Sequence, residues 1–160
     1  MTKLASAFGE KYQANRQEML TRSFELGGHT FKVKIPLVVD SDRIYNMISS
    51  PSEDRVNEIY DQLTEPLIKF KEQASEEFQF TDTDIIVSGR SMREASRSKV
   101  IVETRIVEYI KLLVPENPEN SLDGLTYADV ESEWPLSVQL ALVDKIGEVI
   151  SPTYKESRKN

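Results

Sequence analysis

The segment RSFELGGHTFKVKIPL restricts the fold of this chain more than any other part of its sequence. Two stretches of alternating apolar and polar residues flank Gly27-Gly28, and glycine can take the positive φ that a two-residue primed turn requires. A turn there pairs Leu26 with His29. The register then gives the hairpin one apolar face, formed by Phe24, Leu26, His29, Phe31, Val33 and Ile35. The sequence therefore predicts an N-terminal antiparallel β-hairpin.

The apolar segment after Pro135 predicts a last helix with apolar residues on two sides. One stripe contains Leu136, Leu140, Val143 and Ile150, and the other contains Val138, Leu142, Ile146 and Val149. A helix of this kind has to be covered on both sides, either by its own domain or by another copy of the chain. We expect more apolar surface here than one small fold buries.

Between these two features the sequence predicts further helices and one short strand. The predicted elements are a short helix burying Ile44 and Ile48, a helix capped by Ser50 and interrupted at Pro66, a strand at Ile85–Val87 beside the hairpin, a long helix ending at Pro115, and a short helix opened by a capping box of Thr126 and Asp129. The predicted fold class is α+β and predominantly helical. The N-terminal β-hairpin, either alone or as part of a small antiparallel sheet, is expected to pack with four to five helices.

Length and composition predict a single globular α+β domain over residues 21–152. A flexible or partly helical arm is expected at 1–20 and a polar C-terminal tail at 153–160. No stretch is long and apolar enough to span a bilayer, and the first residues lack the apolar core of a signal peptide. We therefore expect a cytoplasmic protein that does not bind membranes.

The composition argues against most catalytic chemistry. The chain has no cysteine and one histidine, which excludes thiolate chemistry and multi-histidine metal sites. Its sequence contains no glycine-rich phosphate loop and no G-x-S-x-G motif. A net charge of −7 speaks against nucleic acid as a partner, because phosphate binding needs a positive surface. We expect no enzymatic activity, no cofactor and no bound metal.

A few polar residues allow a functional or a structural interpretation. His29 could be a general base or a pH switch, but a partly buried histidine beside the turn is the more common case. Asp82 and Asp84 have the spacing that begins a calcium loop, but the glycine and the closing glutamate are absent, which favours loop capping. The acids near Asp129 are expected in the first turn of a helix.

Three arginines, Arg90, Arg93 and Arg97, are predicted to share one helical face. They could meet phosphates, but no aromatic residue accompanies them as a stacking platform. An acidic protein surface is a better counterpart, and a merely solvated face is the simplest interpretation.

Charge is unevenly distributed along the chain. Residues 1–37 carry six basic and three acidic side chains, whereas residues 112–160 carry four basic and nine acidic ones. This segregation could let copies associate head to tail, or it could reflect solvated faces without a partner.

The C-terminal half resembles the tail assembly chaperones of long-tailed bacteriophages. The resemblance lies in SGRSMREASRSKVIVETRIVEYIKLLVPENP and in LTYADVESEWPLSVQLALVDKIGEVISPTY, which contains a Tyr-Ala-Asp turn before a final apolar helix. The segment FELGGHTFKVKIP is similar to the hairpin with which many small tail proteins begin. The resemblance covers about residues 22–155, and none of its motifs is diagnostic by itself.

The resemblance implies a non-enzymatic protein of the infected host cytoplasm. Such chaperones form homo-oligomers, bind the tape measure protein, help to recruit tail tube subunits and are absent from the mature virion. Many are made in two lengths by ribosomal frameshifting, and the final Arg-Lys-Asn could be encoded by a slippery run of codons. Alternatives are a structural tail or neck completion protein retained in the virion, or a small cytoplasmic protein-interaction module.

The sequence suggests which residues would contact a partner. The candidates are Val100, Val107, Val114, Trp134, Leu136, Leu140, Val143 and Ile150, together with Arg90, Arg93 and Arg97. Trp134 is included because indole side chains are enriched at binding hot spots. For the apolar candidates, the alternative is a place in the core of the monomer.

Overall fold

A computed structural model describes residues 2–73 and 76–151. In chain order its elements are α1 (Lys3–Met19), β1 (Thr21–Leu26), β2 (His29–Lys34), α2 (Val38–Ser49), α3 (Glu53–Thr64), a 3-10 helix (Glu65–Phe70), β3 (Phe78–Phe80), β4 (Ile85–Val87), β5 (Arg90–Ser91), α4 (Met92–Ile110), α5 (Tyr127–Glu133) and α6 (Leu136–Ile150). The fold class is α+β and mostly helical, with an N-terminal hairpin and a second small sheet, which confirms the prediction.

Contacts divide the described residues into two compact units. Unit 1 comprises those of Met1–Asp42 and Ile106–Asn160, and unit 2 comprises those of Arg43–Arg105. This grouping does not show whether either unit folds alone, so the predicted single domain stays a prediction. The predicted polar tail at 153–160 lies outside the described residues.

Helix α1 of unit 1 is interrupted at Gly9. There φ is 83° and ψ is −175°, a conformation that glycine adopts readily and other residues rarely do. Gln13 donates from Nε2 to the carbonyl oxygen of Ala5, at 3.3 Å, across the interruption. Ala5 is the only buried residue of α1, so the helix exposes most of its side chains.

The hairpin has the predicted turn and register. Gly27 and Gly28 both have positive φ, and Leu26 pairs with His29. Alternation is also confirmed at Val33, which is fully buried. His29 itself is exposed, so the expected partly buried histidine is wrong; its ring lies 4.6 Å from that of Phe31.

The segment after α4, and not a third strand from Ile85–Val87, covers the free edge of β2. The backbone N–H of Lys34 donates to the carbonyl of Leu112, and that of Val114 donates to the carbonyl of Lys32, each at 2.8 Å. The predicted strand exists as β4, but it pairs with β3 and β5 in unit 2. The expectation of a three-stranded sheet around the hairpin is therefore wrong.

Helices α5 and α6 complete the core of unit 1. The capping box of Thr126 and Asp129 is present in full, and Pro135 precedes the first turn of α6, both as predicted. Seven buried side chains form this core: Val33, Ile106, Ile110, Leu113, Val130, Val143 and Ile146. The hairpin supplies one member, and all the others come from residues 106–146.

Unit 2 is built around the contact between α3 and α4. Its buried residues are Val56, Ile59 and Val100, with Leu63 packed against them. Helix α3 begins after Ser52, whose hydroxyl caps it, so the predicted cap at Ser50 is wrong by two residues. The predicted interruption near Pro66 is confirmed, since the 3-10 helix begins at Glu65.

Candidate partner-binding surface

The first half of α6 exposes two leucines to solvent. Leu136 retains 54% of its accessible surface and Leu140 retains 42%, and they lie one turn apart on the helix. The second half of the helix is directed into the core of unit 1, where Val143 is buried and Ile150 is half-buried. The stripe predicted from the sequence therefore divides into an exposed pair and a core pair.

Trp134 lies at the junction between α5 and α6. It is half-buried and packs against the core of unit 1. The buried side chain of Gln139 fixes this junction: its Nε2 donates to the Trp134 carbonyl at 2.8 Å, and its Oε1 accepts from the Tyr127 hydroxyl at 2.9 Å. These bonds satisfy the polar atoms of the buried Gln139 and tie the backbone at Trp134 to α6.

A cleft of about 430 Å³ separates the hairpin from α6. We call it the α6 groove and define it by its lining residues, which are Leu26, Gly27, His29, Phe31, Trp134, Ser137, Val138, Ala141 and Leu142. Leu136 and Leu140 do not line it: each precedes a groove residue, Ser137 or Ala141, by one position, which is about 100° of helical rotation, so they face a different side of α6. The exposed leucines and the groove are therefore two separate apolar features of this helix.

A second cleft, of about 590 Å³, lies on the other side of β2. It is lined mainly by Leu113, Val114, Pro115 and Leu122, and His29 and Phe31 border it as they border the α6 groove. Val114 is 41% exposed at this cleft. Unit 1 thus has apolar concave surface on both sides of the second hairpin strand.

The three candidate valines lie in different environments. Val100 retains only 3% of its surface and belongs to the core of unit 2. Val107 is half-buried against the core of unit 1, whereas Val114 is exposed. The three do not form one accessible stripe, and Val114 is the most exposed of them.

The three candidate arginines do not share one helical face, and that part of the prediction is wrong. Arg90 lies in β5, before α4 begins. Arg97 is paired with Glu53 at 2.7 Å. Arg93 donates to the Thr83 carbonyl and to Asn57, each at 3.0 Å, and its guanidinium lies 4.1 Å from the Tyr60 ring centre. Arg93 and Arg97 are therefore engaged within unit 2.

Asp84 caps α4 from a distance, as the interpretation of loop capping predicts. Its carboxylate accepts from the backbone N–H of Ile85 and of Arg93 and from the hydroxyl of Ser91. Burial alone would raise the pKa of Asp84, but these hydrogen bonds and the positive charge of Arg93 outweigh it and lower the pKa below its ordinary value. This side chain is occupied in holding a strand–helix junction.

The described residues offer little else to a ligand. Within 2–73 and 76–151, no group of three or more His, Cys, Asp or Glu side chains is placed to hold a metal ion. In the same ranges, no helix has the length and apolar character needed to cross a bilayer. The apolar surface of unit 1 is the most distinctive feature on which to base a function.

Sequence reasoning missed the hairpin side of the α6 groove. Phe31 and His29 are more than 100 residues from α6 in the chain, and alternation assigned them simply to a buried face. To find the cleft from the sequence, one would have had to predict that the apolar face of the hairpin packs against α6. Val138 and Ala141 were likewise hidden among the many apolar residues of the last helix.

Comparisons with models of known protein families, with curated proteins and with solved structures found no match. The function is therefore argued from this surface and from the sequence resemblance.

Proposed function

We propose that this protein is a non-enzymatic tail assembly chaperone of a long-tailed bacteriophage. In this proposal it binds the tape measure protein through the exposed leucines of α6. It associates with further copies of itself, helps to recruit tail tube subunits in the cytoplasm of the infected host, and leaves before the virion is complete.

The observation that carries the proposal is the apolar surface at the start of α6. Leu136 and Leu140 remain in water although the same helix buries Val143 and Ile146 in the core. Exposed aliphatic side chains one turn apart on a helix are found on surfaces that pack against a helix from another chain. A chaperone for a long helical protein needs such a surface, and it has to be small enough for the free chaperone to stay dispersed.

The resemblance and the surface coincide in the chain. The motif TYADVESEWP contains α5 with its capping box and the C-cap residue Trp134, and it ends at Pro135. The residues after it form α6, the exposed leucines and one wall of the groove. The part of the sequence that most resembles the chaperones therefore supplies the surface on which a partner would bind.

Co-expression with the tape measure protein from the same genome tests the proposal. The tape measure protein is expected to be insoluble alone and soluble with the chaperone, and the two should elute together on size exclusion. A tape measure protein that stays insoluble with wild-type chain would contradict the proposal.

Mass spectrometry of purified virions is an independent test. The proposal requires the chain to be absent or far below the amount of the tail tube protein. Stoichiometric amounts in the particle would instead identify a structural tail or neck component.

A further inference from the structure

The segment that supplies one wall of the α6 groove is strongly acidic. Residues 112–151 contain a single basic side chain, Lys145, against eight acidic ones, a net charge of −7. The rest of the chain is therefore neutral overall, since the whole chain also carries −7. The negative charge of this protein is concentrated in the segment that includes this wall; the other wall is the hairpin.

The groove lining is uncharged, and acids flank its residues along the chain. Its lining contains no Asp, Glu, Lys or Arg. Glu131 and Glu133 lie three residues and one residue before Trp134 and are exposed, and Asp144 is exposed two residues after Leu142. An apolar cleft bordered by like charges repels acidic ligands and attracts ligands that carry the opposite charge.

We propose that the α6 groove is a docking site for a basic amphipathic helix from another protein. Apolar side chains of that helix enter the groove against Phe31, Trp134 and Val138, and its Lys and Arg residues meet the acids of residues 112–151. The inference rests on the proposed function in taking the helix to be a segment of the tape measure protein. The charge and the groove define its chemistry.

The chain provides its own reporter for this docking. Trp134 is the only tryptophan, and it lines the groove. A helix that covers the half-exposed indole removes water from it and shifts its fluorescence emission to shorter wavelength. Binding can therefore be followed on the full-length protein without a label.

Two synthetic helical peptides of about 18 residues, or five turns, test the charge requirement. Both carry the same leucine stripe with i, i+3, i+4 and i+7 spacing, but one is flanked by Lys and Arg and the other by Glu. The basic peptide is expected to give a saturable shift of Trp134 emission, with a Kd at least about tenfold lower than the acidic peptide at low salt. Raising the salt concentration should weaken binding of the basic peptide, because salt screens the attraction between opposite charges.

Two kinds of variant locate the site. The double variant Glu131→Lys/Glu133→Lys reverses the two charges that precede Trp134 in the chain. It should raise the Kd of the basic peptide about fivefold or more at low salt. Asp61→Lys with Glu72→Lys makes the same change of charge on exposed residues of unit 2 and should leave the Kd within about twofold. Ser137→Arg places a cation in the groove at an exposed position and should also weaken binding of the basic peptide, whereas Ser137→Ala should leave that binding unchanged.

Several results would overturn the inference. Equal affinity for the two peptides would remove the charge requirement, and an unchanged Kd in both the Glu131/Glu133 and Ser137→Arg variants would place binding elsewhere. A shift of Trp134 emission that depends on protein concentration alone, without any response to peptide, would assign the groove to a second copy of this chain.

The co-expression experiment separates this inference from the proposed function. If the tape measure protein is solubilised equally by wild type and by Ser137→Arg, the chaperone function stands and the groove is not its site. If wild type binds the basic peptide but does not solubilise the tape measure protein, the docking site stands and its natural helix belongs to another protein.

Discussion

Replacing the two exposed leucines of α6 by glutamine tests whether this surface binds a partner. In the double variant Leu136→Gln/Leu140→Gln, we expect weaker binding of the tape measure protein with little change in the stability of the free chain. Glutamine has nearly the same helix propensity as leucine, so α6 should form as before. The substitution therefore changes what the helix offers to a partner and leaves its backbone alone.

The magnitude follows from the exposed fractions of the two side chains. Burying a whole leucine side chain contributes about 1.5–3 kcal/mol. Leu136 is 54% exposed and Leu140 is 42% exposed, so a partner that covers both removes about one whole side chain from water. The variant should therefore lose up to about 1.5–3 kcal/mol of binding free energy, a roughly tenfold to hundredfold increase in Kd. The free energy of unfolding should change by less than about 0.5 kcal/mol, as is usual for exposed positions.

Isothermal titration of the purified chain with a soluble segment of the tape measure protein measures this effect. The matched control is Ile68→Gln/Val102→Gln, because these unit 2 side chains are 59% and 41% exposed and present nearly the same apolar area to solvent. The control should bind within about twofold of wild type. Urea unfolding, followed by circular dichroism, checks the stability of both variants.

Two results would refute the reasoning. Wild-type affinity in the α6 variant would show that the exposed leucines contribute nothing to binding. An equal loss in the control would show that exposed apolar area in general, and not the surface of α6, determines the affinity.

Three further predictions concern the fold, and each is measured by the urea dependence of unfolding. Gly28→Ala should lower the free energy of unfolding by about 1–2 kcal/mol, and Gly27→Asn should lower it much less. A Cβ at either position meets no atom within 4 Å, so the cost comes from the positive φ, which asparagine tolerates better than alanine. Equal losses of stability would contradict this. Gln139→Leu should lower the free energy of unfolding by about 1–3 kcal/mol, because the Trp134 carbonyl and the Tyr127 hydroxyl lose the hydrogen bonds that Gln139 provides. Unchanged stability would mean that these groups find other partners. Asp84→Ala should cost about 1–2 kcal/mol near neutral pH, and Asp82→Ala on the same loop should cost little. The pKa of Asp84 in the folded protein lies below its ordinary value of 3.8, so its stabilisation is present above pH 3.8 and is lost as the pH falls through the lower, folded-state pKa. The free energies of unfolding of wild type and Asp84→Ala should therefore converge in acid. A constant difference down to the lowest accessible pH would contradict the role assigned to Asp84.

Local signals in the sequence predicted the local structure well. The register of the hairpin follows from Gly27-Gly28 and the alternation around it, since a one-residue slip would exchange the two faces. The capping box at Thr126 and the break near Pro66 are also confirmed, because each depends on hydrogen bonds or sterics within a few residues.

Errors arose where the outcome depends on residues distant in sequence. A short strand such as Ile85–Val87 carries no information about its partner, and it pairs with β3 and β5 instead of the hairpin. Periodicity also could not distinguish Val100, which is buried by α3, from Val114, which is exposed. Their spacing of 14 residues predicts one stripe on a helix that ends at Pro115, but α4 ends at Ile110, so that bound is wrong and Val114 lies beyond the helix.

The candidate site could be predicted in part for the same reason. The excess of apolar residues on the last helix indicated that some would remain uncovered, and Leu136 and Leu140 are exposed. Which residues these are, and that a groove forms elsewhere on the same helix, depends on how the hairpin packs against α6. That packing brings together residues more than 100 positions apart, which no local pattern encodes.

The pairing of β2 with the segment after α4 has a consequence for how the chain folds during its synthesis. Val33 leaves the ribosome 80 residues before its bridge partner Leu113, and 113 residues before Ile146 of the same core. At about 5–20 residues per second, the apolar face of the hairpin waits roughly 6–23 s for the last of these neighbours. All of unit 2 is synthesised within that interval. The nascent hairpin therefore depends on cellular holding factors, or on its own marginal stability, until the residues of α6 have been synthesised.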